Sequence, residues 1–194
     1  MTKSRLEAFS DGVLAIIITI MVLELKVPHG QDLEALRPLI PVGLSYLLSF
    51  IFVGIYWNNH HHLFQVVQRV SGGVLWANLH LLFWLSLIPF VTSWMGENNF
   101  SPVPVSLYGV VLLGSGLAFS ILVRSLLSAH EAKSALSKAI GSDAKGNISI
   151  LAYTLAIPLA FVHPAIAGAL YVAVAIIWLV PDRRIERVLH TPES

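Results

Sequence analysis

The chain has 194 residues, no cysteine and a formal net charge of +1. Apolar residue types make up 56% of it and charged residues only 12%, against about 25% charged in an ordinary soluble domain. This composition excludes a disordered chain, a nucleic-acid binder and a disulfide scaffold, and a soluble protein of this size would need more charge to cover its surface. We therefore expect an all-α integral membrane protein.

Six apolar segments follow one another along the chain, and they predict six transmembrane helices in one domain that covers residues 1–194. The first segment stops before Pro28 and Gly30. A helix over residues 6–27 would measure ~33 Å, enough to cross a hydrocarbon core of ~30 Å. The last apolar stretch is interrupted by His163-Pro164 and is too long for one crossing, so we predict two short helices there. The predicted spans are approximately 6–27, 40–58, 74–94, 102–127, 147–163 and 165–181.

Lysine and arginine are distributed unequally between the two sides that six spans define. One side holds both termini and the connections between spans 2 and 3 and between spans 4 and 5, whereas the other side carries only Lys26 and Arg37. Because cytoplasmic loops are enriched in these residues, we expect both termini in the cytoplasm and the protein in the cell (inner) membrane. The cations on the predicted cytoplasmic side are Lys3, Arg5, Arg69, Arg124, Lys133, Lys138, Lys145, Arg183, Arg184 and Arg187.

The first predicted helix has one apolar face that carries a single hydroxyl. At 100° per residue, Ile16, Thr19 and Leu23 fall within about 60° of one another, with Gly12 beside them. Asp11 lies about 140° from Ile16, on nearly the opposite side. An ionisable group within a span is expensive and normally faces a protein interior, a partner or water. We therefore expect Asp11 to face neighbouring helices.

Polar residues near the cytoplasmic ends of the second and third spans are candidate partners for the first helix. Arg5 lies about 120° around the helix from Asp11, so an ion pair between these two residues is unfavourable. His60 and Asn78 fall at the same predicted membrane face. We predict a hydrogen-bonded network of Arg5, Asp11, His60 and Asn78 that holds the first helix against the second and third.

Three consecutive histidines, His60, His61 and His62, raise the question of a metal site. Adjacent helical positions diverge by about 100°, so these side chains cannot jointly face one ion within one chain. The sequence also lacks cysteine and the H-E-x-x-H pattern. We therefore predict no metal, no cofactor and no enzymatic activity.

The string R-x-x-x-F-S-D of residues 5–11, followed by Ala15-Ile16 and Thr19, resembles the first-helix signature of the transmembrane protein 175 family of endosomal and lysosomal potassium channels. The resemblance covers roughly residues 5–90. Within the string the matching positions are Arg5, Phe9, Ser10 and Asp11. Further along the chain they are Trp57, His60, Leu63, Phe64, Asn78, Leu87, Ile88, Pro89 and Phe90.

The resemblance implies a potassium-preferring channel without a carbonyl selectivity filter. The chain resembles the bacterial members of the family, which carry one six-helix repeat and form homotetramers with the first helix around the pore. It implies a constriction at Ile16, a hydroxyl layer at Thr19 that favours K⁺, and pore-lining positions at Leu23 and Gly12. The motif's Arg5, Ser10 and Asp11 would join the first helix to its own bundle and to the neighbouring subunit; Phe9, Trp57, His60 and Asn78 complete this structural set.

The alternative function is a proton-coupled transporter that uses Asp11 and the helix 2 histidines as a relay. Histidine titrates near neutral pH, and intramembrane carboxylates often carry protons. These groups cluster at one membrane face rather than at the midplane, and the sequence has no obvious inverted repeat. The pattern therefore favours a passive channel.

Overall fold

The computed structural model describes residues 2–65, 67, 70–128 and 144–179. Within these ranges the chain is helical and contains no strand, which confirms the all-α class. A 3-10 segment, Leu33–Leu39, leads directly into the second helix. The α-helices are α1 (Lys3–Leu23), α2 (Ile40–Gln65), α3 (Gly72–Ser86), α4 (Ile88–Glu97), α5 (Pro102–Ser128), α6 (Ala144–Val162) and α7 (Pro164–Leu179).

Five stretches of the described chain are long and apolar enough to cross a membrane: α1, the 3-10 segment with α2, α3 with α4, α5, and α6. Helix α7 is apolar as well but shorter. The protein is therefore a multi-pass membrane protein. Several sequence predictions lie outside the described residues: the cations Arg69, Lys133, Lys138, Arg183, Arg184 and Arg187, most of the polar connection 128–147, and positions 180–181 of the sixth predicted span.

Helix α2 continues past the polar run at residues 58–62 and ends at Gln65, whereas the predicted span ends near 58. Hydrogen bonds within the helix accommodate part of this polar run. Asn59 donates to the Ile55 carbonyl at 2.8 Å, and His61 bonds to Gln65 at 2.9 Å. The histidines therefore lie on the helix itself and share its geometry.

The third apolar segment is bent between α3 and α4. Pro89 has no N–H, so the helix cannot continue its regular hydrogen bonds through this position. Instead the Leu87 N–H donates to the Trp84 carbonyl at 3.2 Å, which tightens the last turn of α3 before α4 begins. The bend lets α3 and α4 pack against different parts of the bundle, although together they make one crossing.

Helix α5 forms the centre of the bundle and packs against α3, α4, α6 and α7. Buried hydroxyl groups connect it to the helices on one side. Tyr108 of α5 is hydrogen-bonded to Ser49 of α2 at 3.0 Å, and Ser49 to Thr92 of α4 at 2.6 Å. Thr92 in turn donates to the Ile88 carbonyl at 2.6 Å. Every hydroxyl in this chain is satisfied, so the polar groups add specificity to an apolar core. Helix α1 lies at the edge of this core, against α2, α3 and α4.

Close packing between α3 and α5 depends on Gly114, because a methyl group at this position would overlap the Trp84 ring. Gly114→Ala should therefore displace that ring and destabilise the protein by about 1–3 kcal/mol. For a chain of this size the melting temperature should fall by roughly 2–4 °C per kcal/mol. Thermal unfolding of the detergent-purified protein measures the change.

Gly116 is the matched control on the same helix, since a methyl group there meets nothing nearer than 3.9 Å. Alanine is also the better helix former, so Gly116→Ala should leave the melting temperature unchanged or raise it. An equal loss of stability in both variants would contradict this description of the α3–α5 contact.

Candidate functional site

Helix α1 has one face that the bundle buries. Leu6, Ser10, Leu14, Ile17 and Met21 recur every three or four residues, and all five are buried. This spacing puts them on one side of the helix, where α2, α3 and α4 cover them. The four apolar members fill the contact with aliphatic side chains, and Ser10 is the one polar group among them.

The opposite face of α1 is uncovered by the described part of the chain. Gly12, Ile16, Thr19 and Leu23 are all exposed, with Ile16 at 60% and Leu23 at 76%. We call these four residues the α1 stripe. The Thr19 hydroxyl donates to the carbonyl of Ala15 at 2.9 Å, so its oxygen lone pairs remain available. The structure thus places the four predicted pore residues together, on the side of α1 turned away from its own bundle.

A buried chain of hydrogen bonds holds the N-terminal half of α1 in place. The Ser10 hydroxyl donates to the Leu6 carbonyl at 2.9 Å, and the Asn78 amide of α3 donates to the Ser10 oxygen at 3.0 Å. The Asn78 carbonyl oxygen lies 2.8 Å from Nε2 of His60 in α2. An amide oxygen only accepts, so His60 carries a proton on Nε2. Three helices are therefore joined by one chain of satisfied polar groups.

Asp11 is bonded separately from this chain. Its Oδ1 accepts a hydrogen bond from the Trp57 indole N–H at 3.0 Å, and the Trp57 ring stacks against His61. Asp11 follows Ser10 by one residue and points about 100° away from it, which takes its carboxylate out of reach of the buried side. The predicted network of Arg5, Asp11, His60 and Asn78 is therefore present only in part. His60 and Asn78 are bonded to each other, and Ser10 takes the place of Asp11.

Arg5 and Phe9 lie on the outward side of α1. Arg5 is exposed and makes no hydrogen bond or ion pair with the described residues, so it does not join the predicted network. Phe9 is half-exposed. Within this protomer the signature string is thus divided, with Ser10 turned inward and Arg5, Phe9 and Asp11 turned outward.

The three consecutive histidines have different surroundings. His60 is buried and bonded to Asn78, and His61 is exposed and bonded to Gln65. The Nδ1 atom of His62 is buried without a hydrogen-bond partner among the described residues. No group of three or more His, Asp or Glu side chains in the described ranges is placed to hold a metal ion. The alternative function, a proton relay, would need contact between Asp11 and a histidine. No hydrogen bond joins these groups within the described ranges.

The other end of α1 carries contacts that the sequence did not indicate. Ser93 of α4 donates to a Glu24 carboxylate oxygen at 3.3 Å, and the Lys26 ammonium forms an ion pair with Glu97. The hydrogen bond from Lys26 to Glu97 raises the pKa of the ammonium above its ordinary value of 10.5, so it stays charged at neutral pH. These partners are about seventy residues apart, and no local pattern reveals such a pairing.

Comparisons with known proteins agree on one family. A family profile described as endosomal/lysosomal potassium channel TMEM175 matches residues 5–89. A potassium channel of Chryseobacterium sp. (strain P1-3) is 57% identical over 189 residues, which cover 97% of this chain and 98% of that protein. The endosomal/lysosomal proton channel TMEM175 of Gallus gallus is 32% identical over 149 residues, which cover 68% of this chain and 30% of the chicken protein.

A solved structure is similar over nearly the whole chain. It is the crystal structure of a lysosomal potassium-selective channel TMEM175 homologue from Chamaesiphon minutus. The two chains share 28% identity with a TM-score of 0.77, and the match covers 93% of this chain and 97% of the other.

Asn78 is the residue on which the buried chain depends, since it bonds to both Ser10 and His60. Asn78→Leu should leave the buried His60 N–H without an acceptor, at a cost of about 1–3 kcal/mol, and should remove the hydrogen bond that Ser10 accepts, although Ser10 still donates to the Leu6 carbonyl. We expect the melting temperature of the purified protein to fall by several degrees, at roughly 2–4 °C per kcal/mol.

The control is Asn59→Leu on α2, because Asn59 bonds only to the Ile55 carbonyl of its own helix. It should lower the melting temperature far less than Asn78→Leu does. If the two substitutions have equal effects, the buried chain does not hold α1 in place.

Proposed function

Because the chain belongs to the family of the endosomal/lysosomal potassium channel TMEM175, we propose that it is a potassium-preferring cation channel that conducts passively. The relative that matches it over nearly its full length is named a potassium channel, and the similar solved structure is of a potassium-selective channel. The chicken relative is named a proton channel, but the match covers less than a third of it. We therefore assign K⁺ as the permeant ion.

The proposed channel is a homotetramer with α1 around the central axis. The observation that carries this proposal is the uncovered α1 stripe, on a helix whose other face is fully packed. Arg5 lies on the same outward side, and Asp11, about 140° around the helix from Ile16, is exposed as well. Charged groups that face lipid are costly, so a second copy of the chain is a better neighbour for this side than acyl chains. In the assembly, Arg5 and Asp11 would contact the adjacent subunit, while Ser10 stays within its own bundle.

The proposed orientation places both termini in the cytoplasm of a cell (inner) membrane. Ten of the twelve Lys and Arg residues fall on that side in a six-span topology. The buried Ser10 chain then lies toward the cytoplasmic end of α1, and Leu23 lies toward the outer end.

Conduction in this arrangement depends on two layers of the α1 stripe. Four Ile16 side chains would form an apolar collar, which ions cross only when it widens or when they lose part of their hydration shell. Four Thr19 hydroxyls would form the next layer. Because each hydroxyl donates its hydrogen bond to the Ala15 carbonyl, its oxygen is free to coordinate a cation. K⁺ is less tightly hydrated than Na⁺, so such a layer favours K⁺ modestly. Gly12 and Leu23 would line the two ends.

The proposal involves no reaction, cofactor or bound metal other than the permeant K⁺. Its partners are three further copies of the chain and the lipid bilayer. A proton-coupled transporter is not favoured, because Asp11 and His60 are each engaged in a separate hydrogen bond.

Replacing Ile16 by asparagine tests the collar. A polar ring wets more readily than an aliphatic one, so K⁺ flux through liposomes with the purified Ile16→Asn protein should rise on the order of 10-fold, equivalent to a barrier lower by about 1.4 kcal/mol. Ile176→Asn on α7 is the matched control, since Ile176 is 58% exposed and lies outside the stripe. Equal fluxes from wild type and Ile16→Asn would contradict a constriction at this position.

Replacing Thr19 by valine tests the hydroxyl layer while keeping the side-chain shape. The K⁺/Na⁺ permeability ratio, measured from bi-ionic reversal potentials in planar bilayers, should fall about two- to tenfold, as expected for the loss of about 0.5–1.5 kcal/mol of oxygen–cation stabilisation. Thr154→Val on α6 is the control, because Thr154 is also exposed and also donates to a carbonyl of its own helix. An unchanged ratio in Thr19→Val would place selectivity elsewhere.

A further inference from the structure

Beyond the buried Met21, polar side-chain contacts attach the end of α1 and the residues that follow it, Glu24 and Lys26, to α4. An open groove separates the two helices here, lined on the α1 side by Ile20 and on the α4 side by Phe90 and Trp94. Ile20 and Phe90 remain exposed, so apolar contact between them does not hold the helices together. The polar contacts across this gap are the Ser93–Glu24 hydrogen bond and the Lys26–Glu97 ion pair.

These contacts act from the bundle side of α1. Glu24 follows the buried Met21 by three residues and lies about 60° from it around the helix, but about 100° from Leu23 of the stripe. Helix α4 lies against α1 on the same side as α2 and α3. An attachment to α4 therefore holds the outer end of α1 toward the bundle and away from whatever the stripe faces.

We propose that Lys26 and Glu97, supported by the Ser93–Glu24 hydrogen bond, are positioning residues that hold the outer end of α1 against α4 and so keep the outer part of the pore open. This inference rests on the proposed function, because it assumes that the α1 stripe faces a conducting axis. When the ion pair is broken, the outer end of α1 is free to lean inward, and the conducting state becomes less populated.

A purely electrostatic role for the same residues predicts a different pattern. If Lys26 only repelled cations near the outer mouth, its neutralisation would raise the K⁺ current, and neutralisation of Glu97 would lower it. Attachment predicts that both substitutions lower the current. The sign of the Lys26 effect therefore separates the two roles.

The experiment measures K⁺ currents of single channels in planar bilayers for Lys26→Met, Glu97→Gln and the exchanged pair Lys26→Glu/Glu97→Lys. Both single variants should lower the open probability by about 1.5- to fivefold, the range expected for a largely exposed ion pair. The exchanged pair restores the attachment and should return the open probability to the wild-type value. The K⁺/Na⁺ permeability ratio should stay the same in all three.

Arg37→Met is the matched control, because it removes one positive charge from the same side of the protein. Arg37 pairs with Glu34 within the 3-10 segment, so its loss leaves α1 and α4 joined. It should not change the open probability. A higher current in Lys26→Met, or no recovery in the exchanged pair, would overturn the proposal.

A second measurement tests the attachment without relying on conduction. The chain has no cysteine, so spin labels can be placed at Val27→Cys and Asn98→Cys, both exposed positions, in labelled copies diluted with unlabelled protein. The distance distribution between the labels should be narrow in wild type, Arg37→Met and the exchanged pair, and broad in both single variants. Unchanged distributions would overturn the attachment itself. A wild-type protein that carries no K⁺ current but shows the expected distributions would refute the proposed function alone.

Discussion

The buried chain from Ser10 through Asn78 to His60 determines the rotation of α1, and the remainder of the account depends on that rotation. A helix within a membrane satisfies its own backbone, so its side chains decide which face turns inward. A shift of one residue would turn Ser10 by about 100° and leave the buried Asn78 amide N–H group without its acceptor. Such unpaired groups are costly in an apolar core. With Ser10 held inward, the α1 stripe must face outward.

The two ends of α1 are held by different means, and the middle by aliphatic packing. The inner end has a fully buried polar chain, whose bonds no water competes for. The outer end has exposed contacts across an open groove, where water weakens each interaction. Leu14, Ile17 and Met21 fill the contact between them. This difference makes the inner end the fixed point of the helix and the outer end the part that can move.

The sequence was sufficient for the fold class and the family because both rest on strong local signals. Long apolar segments predicted an all-α membrane protein, and the string at residues 5–11 indicated the family that the comparisons then showed. Helical angles also grouped Ile16, Thr19 and Leu23, since positions within one helix follow from its geometry alone. Their role at a pore remains a proposal, because it depends on how several copies meet.

Of the contacts between distant segments, the sequence indicated the one between His60 and Asn78 but not the others. Asp11 was predicted in a network with His60 and Asn78, but its partner is Trp57, near the same end of α2. The sequence offers several polar side chains there, and only the folded bundle selects one of them. Helix α2 continues to Gln65, beyond the predicted span limit near residue 58, because a limit set by apolar residues stops where the polar run begins. The Lys26–Glu97 pair joins residues that only the folded bundle brings together.

The central claim is that the uncovered side of α1 faces an axis shared by four copies of the chain. Electron cryomicroscopy of the purified protein in lipid nanodiscs tests it most directly. We expect a fourfold assembly in which the Ile16 side chains of all subunits approach the axis. A structure in which Ile16 contacts lipid, or is covered by helices of a single protomer away from any symmetry axis, would contradict it.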